Sequence, residues 1–135
     1  MHTLATLVDR HGVTVDDHLA RDLVVPVLTG LQRQGDVVVI PDHAAAATTP
    51  VPATGTAVVR GENGGNTHAI LADGPAFCDT RQADVRDLTL AALTVPAGSV
   101  AWLAHPEHGY MGIGPGSYTM RRQRQQADEI ALVQD

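Results

Sequence analysis

The sequence predicts a mainly β fold of the α+β kind: a small β-barrel or sandwich of about seven short strands behind an N-terminal pair of short helices. Three observations predict it. Thirteen Gly and eight Pro in 135 residues demand frequent turns. From Gln34 onward, short runs of Val, Thr, Leu and Ala alternate with those turns. Only the stretch before Gln34 carries apolar residues at sustained helical spacing.

Leu4, Leu7 and Val8 share one face of a helix over residues 3–10, and Gly12 supplies its stop. Thr14-Val15-Asp16-Asp17 reads as a capping box, with the Thr14 hydroxyl and the Asp17 carboxylate on the first free N–H groups. Leu19, Leu23, Val24, Val27, Leu28 and Leu31 continue a helical stripe that Pro26 interrupts, which predicts helices over 15–23 and 26–33. Val37-Val38-Val39-Ile40-Pro41 is the β-branched run of a strand covered on both faces. Residues 42–55, rich in Ala, Thr and Pro, are expected to form a flexible loop with His43 in solvent.

Thr56 to Arg60 reads as a strand, Gly61 to Asn66 as a glycine-rich turn, and Thr67 to Ala72 as the next strand, with His68 and Ile70 on one face. Residues 73–86 form a polar connection. Leu88 to Val95 and Ser99 to Ala104, joined by Pro96-Ala97-Gly98, predict a hairpin with Trp102 in the core. Short strands follow at Tyr110 to Ile113, Ser117 to Gln125 and around Ile130, Leu132 and Val133. The length suits one domain over 1–135, with a helical addition at 1–33 and a β-rich body at 34–135.

The formal net charge is -6, and all nine basic residues are Arg. An acidic chain is a poor generic partner for phosphate backbones or anionic membranes. No apolar run approaches the roughly 18–20 residues that cross a bilayer, and no leader pattern opens the chain. One cysteine, Cys78, excludes an internal disulfide and a multi-cysteine zinc site; it fits a reducing compartment, so the expected location is the cytoplasm. Asp79 beside Cys78 raises the thiol pKa, which argues against thiolate chemistry.

The candidate site centres on His105-Pro106-Glu107-His108, two of the seven histidines with a carboxylate between them. With His68 from a neighbouring strand, these groups suit zinc, manganese or iron, which accept imidazole and carboxylate. Asn66 is read as a further ligand-binding side chain beside them. Glu107 is the natural general acid or base if chemistry occurs. The alternative is that His105 to His108 form a rigid turn whose imidazoles bond to carbonyls. Histidines on a strand after a glycine-rich turn are loosely similar to cupins, although Asn66-Thr67-His68 lacks the close histidine pair of the cupin motif.

Arg33-Gln34-Gly35-Asp36-Val37, Gly61-Glu62 to Gly65 with His68-Ala69-Ile70, His105 to His108, Pro115-Gly116-Ser117-Tyr118 and Arg122-Gln123-Arg124 occur in that order. This resembles a family of small uncharacterised bacterial and phage proteins with RQGDV, GHxH, HxEH, PPGxY and RQREY blocks. The resemblance implies a compact β-rich domain and no particular reaction. The sequence departs from it at Asn66, where the pattern has histidine, and at Gln125 and Gln126, where it has an acid and a tyrosine.

Three functions follow as expectations. The first is a non-enzymatic accessory or partner-binding domain that self-associates through Leu19, Leu23, Val27 and Leu31 and carries a His/Glu ligand site. The second is a metal-dependent enzyme centred on His68, His105, Glu107 and His108. The third is a nucleic-acid-binding module using Arg121, Arg122 and Arg124, which the net charge disfavours against a charged edge strand.

Overall fold

The computed structural model describes residues 2–60, 67–81 and 88–123. Thr3 opens a helix, α1 (Leu4–His11): its hydroxyl accepts the Thr6 N–H at 3.3 Å, and Thr6 Oγ1 accepts the Thr3 N–H at 3.1 Å. The reciprocal box therefore forms here and not at Thr14. Gly12, with φ 82°, ends the helix and donates its N–H to Val8 O at 2.8 Å.

No helix forms over 15–23 or 26–33, which corrects the expected second helix. The first of these segments spends its carbonyls elsewhere. Arg21 takes Val15 O at 3.0 Å and Asp16 O and Leu19 O at 3.2 Å, so the chain knots around one guanidinium. Leu23 O and Arg21 O accept the Leu4 and Ala5 N–H groups at 2.9 and 3.0 Å, capping the first turn of α1. Pro26, which has no N–H to give a helix, precedes a short strand, β1 (Val27–Leu28).

Nine further strands follow: β2 (Gln32–Gln34), β3 (Val37–Pro41), β4 (Thr56–Val59), β5 (His68–Asp73), β6 (Phe77–Thr80), β7 (Thr89–Val95), β8 (Val100–His105), β9 (Gly109–Ile113) and β10 (Gly116–Arg122). They build two five-stranded sheets, β1-β9-β8-β5-β4 and β2-β3-β10-β7-β6. All pairs are antiparallel except β1 with β9. Both sheets are open among the described residues, so the architecture is a sandwich and no closed barrel forms.

Hairpins alternate between the layers: β2–β3 and β6–β7 in one sheet, β4–β5 and β8–β9 in the other. The expected β7–β8 hairpin is therefore wrong. β7 already has β10 and β6 on its two edges, and β8 has β5 and β9, so the turn at Pro96 to Ser99 carries the chain across to the other sheet. β6 lies inside what read as a polar connection, because Cys78 is its one fully buried residue, between half-buried Phe77 and Asp79. The 42–55 segment hydrogen-bonds along this region: Thr49 O accepts Cys78 N–H at 2.8 Å, and Val51 N–H donates to Ala76 O at 2.9 Å. The Gly61 to Asn66 turn and the strand expected around Ile130 lie outside the described residues.

Val37, Val39, Ile70, Leu93, Leu103, Ile113 and Met120 fill the space between the sheets, all fully buried. A fully buried aliphatic side chain contributes about 2 kcal/mol to such a core. A second cluster, with Leu4, Leu7, Val15, Val25, Leu71, Trp102 and Tyr110, packs α1 against the outer face of the first sheet. The two-residue period then fixes where the histidines go. His68 shares the face of Ile70, and His105 that of Leu103, while Gln34 sits opposite Val37 in the β2–β3 pair. All three are 4–6 % exposed, so one end of the apolar core closes in a polar layer.

A three-histidine candidate metal centre

His68 begins β5, and the Ala69–Ala104 pairing that follows it brings His105 alongside, with ring centroids 4.2 Å apart. His105 ends β8 and pairs with Gly109, which encloses Pro106-Glu107-His108 in a tight turn. Gly109 adopts φ 85°, a conformation that costs glycine little. Asp16 N–H anchors the turn from outside, donating to Pro106 O at 2.7 Å. The His108 ring lies 4.6 Å from His105 and 6.0 Å from His68, centroid to centroid.

One ligand nitrogen from each ring lies within 4.8 Å of the other two. Atoms that close share a centre less than about 3 Å from each, against about 2.0–2.1 Å for a zinc–imidazole bond. His68 and His105 are buried and His108 is exposed, so the site opens to solvent on the His108 side.

The β2–β3 turn covers the cluster. At Gly35, φ 59°, a Cβ would lie 2.8 Å from His108 Nε2 and 3.4 Å from His68 Nε2. The missing side chain thus leaves a space between two ring nitrogens. Gln34, next to it, donates its amide to Leu103 O at 3.0 Å and to Gly109 O at 3.2 Å, clamping both arms of the hairpin that bears His105 and His108. Its Oε1 is buried without a hydrogen-bond partner, and so are both nitrogens of His68. Three buried polar atoms without a hydrogen-bond partner in one layer are costly, at about 1–3 kcal/mol each.

Burial is the first cause that lowers the His68 pKa, to about 4; the His105 and His108 rings add to it, and Asp36 and the Gln34 carbonyl oppose it. At neutral pH His68 is therefore uncharged, with a lone pair ready for a metal. His105 Nδ1 accepts the Glu107 N–H at 3.1 Å. A neutral ring in that state carries its proton on Nε2, so coordination through His105 exchanges this hydrogen bond or proton for a metal–nitrogen bond.

Of the sequence-predicted residues, His68, His105 and His108 come together. The Glu107 carboxylate is on the exposed turn and outside the converging set. Asn66 and Arg124 lie outside the described residues. Arg121 and Arg122 are exposed at the end of β10, and Arg122 Nε reaches Asp36 Oδ2 at 3.8 Å. Cys78 is buried and its thiol is pushed up to about 12, first by burial and then by Asp79. Sequence reasoning missed Gln34 and Gly35 as parts of the site. A Gly-Asp pair ending one strand and opening another was the available signal, but nothing local said what that turn would cover.

A family model matches residues 33–123, two thirds of the chain, and it describes a domain of unknown function, DUF8820. The chain belongs to the DUF8820 family. No curated protein and no solved structure matches it. All three histidines, Gln34 and Gly35 fall within the DUF8820 region, whereas α1 and β1 precede it.

Proposed function

We propose that this DUF8820 domain binds a divalent transition metal, zinc first, through His68, His105 and His108. The convergence of the three ligand nitrogens within 4.8 Å carries the reading. The space beside Gly35 and the unpartnered nitrogens of His68 support it. An all-imidazole set favours zinc or ferrous iron over manganese, magnesium or calcium, which prefer oxygen. Glu107, on the turn between two ligands, is the group that would act as general base if the metal activates water. The buried free Cys78 fits our assignment of the domain to the cytoplasm.

The test is equilibrium dialysis of chelator-stripped, untagged protein against zinc, manganese and ferrous iron. One equivalent bound, with a stabilisation of about 2.7 kcal/mol at a hundredfold excess over Kd, is expected. No uptake and no thermal shift with any of the three would falsify the site. The Glu107 amide resonance should move on binding, because its acceptor is a ligand.

A second reading rests on a separate observation: Leu23, Val24, Val27, Leu28 and Leu31 are 37–68 % exposed, and β1 is the edge strand of its sheet. Together they offer roughly 400 Å² of apolar surface, about half of one side of a stable interface. We infer that a second copy of the chain covers this strip, edge to edge. A strict monomer by light scattering at high concentration removes that reading. No helix among the described residues is long and apolar enough to cross a membrane.

A further inference from the structure

We propose that water, and no fourth protein group, completes the coordination of the metal at His68, His105 and His108, and that Gln34 Oε1 is the buried acceptor that orients it. This rests on the metal reading above. The Gln34 amide donates to two carbonyls, one on each arm of the histidine hairpin, which fixes the carboxamide plane and leaves Oε1 a set direction. That oxygen is buried, yet no protein donor meets it, although His68 shares its layer and has both nitrogens unpartnered. An acceptor left so costs about 1–3 kcal/mol unless something donates to it. A metal-bound water is such a donor: coordination polarises its O–H bonds, one proton points to Gln34, and the lone pair faces the ion.

The neighbouring acids do not fill the position. Glu107 is exposed and outside the converging set. Asp36 is also outside that set, its half-exposed carboxylate lying 3.8 Å from Arg122 Nε. Solvent reaches the centre past the exposed His108, so the fourth ligand exchanges and small monodentate anions compete for it.

The experiment loads the full, untagged chain with cobalt(II) and titrates azide against its visible absorption. The wild type should show a saturable spectral change. Gln34→Leu should bind cobalt about tenfold more weakly, because the bound water loses the acceptor that holds it. It should bind azide about tenfold more tightly, since the displaced water is no longer held by a hydrogen bond worth roughly 1.4 kcal/mol. A variant that loses affinity for both ions has only a structural glutamine, and the proposal falls. Should Gln34→Leu not fold, manganese-loaded wild type supplies the readout through water-proton relaxation. Enhancement abolished by azide supports the proposal, and the relaxivity of an ion without exchangeable water overturns it. Cobalt uptake without an azide response overturns this proposal alone. No cobalt uptake overturns it together with the metal reading.

Discussion

Two histidines whose rings are covered touch the first sheet in opposite surroundings. His11, at the end of α1, has its Nε2 3.2 Å from Asp73 Oδ1, a close electrostatic contact short of an aligned hydrogen bond. Asp73 also takes Arg10 at 2.7 Å and the Trp102 indole at 2.9 Å, while the His2 ring stands edge-on to that indole at 4.8 Å. Around His68 stand two more imidazoles, with Asp36 acting against them, and neither of its nitrogens has an aligned hydrogen-bond partner. His11 Nε2 also lacks an aligned hydrogen bond, but a carboxylate stands beside it, and the pair latches a helix to a sheet. Three imidazoles facing one another repel when charged and satisfy one another poorly when neutral, which is the contrast the proposed metal site rests on.

The largest effect that separates the regions is on metal affinity. Replacing one of three ligands, His105→Ala, should weaken zinc binding by about three orders of magnitude, near 4 kcal/mol. His11→Ala should leave it within about twofold, since His11 lies in the other cluster. Competition titrations with a chelating dye measure both. Equal losses in the two variants would erase the distinction.

Acid should separate them next. The folded pKa of His68 lies near 4 against an ordinary 6.5, so the folded state resists its protonation. Its contribution is whole above pH 6.5 and drains away as pH falls toward 4, by up to about 3 kcal/mol. For Asp73, burial opposes ionisation but is outweighed by the Trp102 N–H, His11 and Arg10, so its pKa falls below the usual 3.8. Its contribution stands above that value and is lost only below it. Urea midpoints of metal-free protein across pH should show two separate declines. His68→Phe flattens the upper one, and Asp73→Asn the lower one, at a cost of about 1–3 kcal/mol at neutral pH. A wild-type curve flat between pH 6.5 and 4 would refute the desolvated state of His68.

The same contrast marks what could be read without coordinates. Alternation placed His68 with Ile70 and the turn placed His105 near His108, both from local spacing. α1 was legible from Leu4, Leu7 and Gly12. The false helices at 15–23 and 26–33 show the limit: an apolar stripe says nothing of where it goes. Val15 and Val25 pack beneath α1, while Leu23, Val27 and Leu31 stay exposed. Which strands share a sheet is set by long-range pairing, so β7 and β8 looked like partners and are not. Gln34 and Gly35 join the site for the same reason. Their role depends on one hairpin of the second sheet reaching across to the turn of the first.

The smallest expected effect probes that reach. Gly35 and Gly98 both have left-handed backbones, φ 59° and 85°, and alanine at either costs about 1 kcal/mol in strain. A Cβ at Gly98 meets nothing within 4 Å, whereas one at Gly35 enters the space between His108 and His68. Gly98→Ala should therefore lower stability and leave zinc affinity alone. Gly35→Ala should lose about as much stability and at least about tenfold in affinity, because the methyl stands where the ion or its water must sit. The pair holds backbone strain constant and varies only the filled volume. If both variants bind zinc equally, the ion does not lie beneath the β2–β3 turn, and the converging nitrogens of His68 and His108 serve no common centre there.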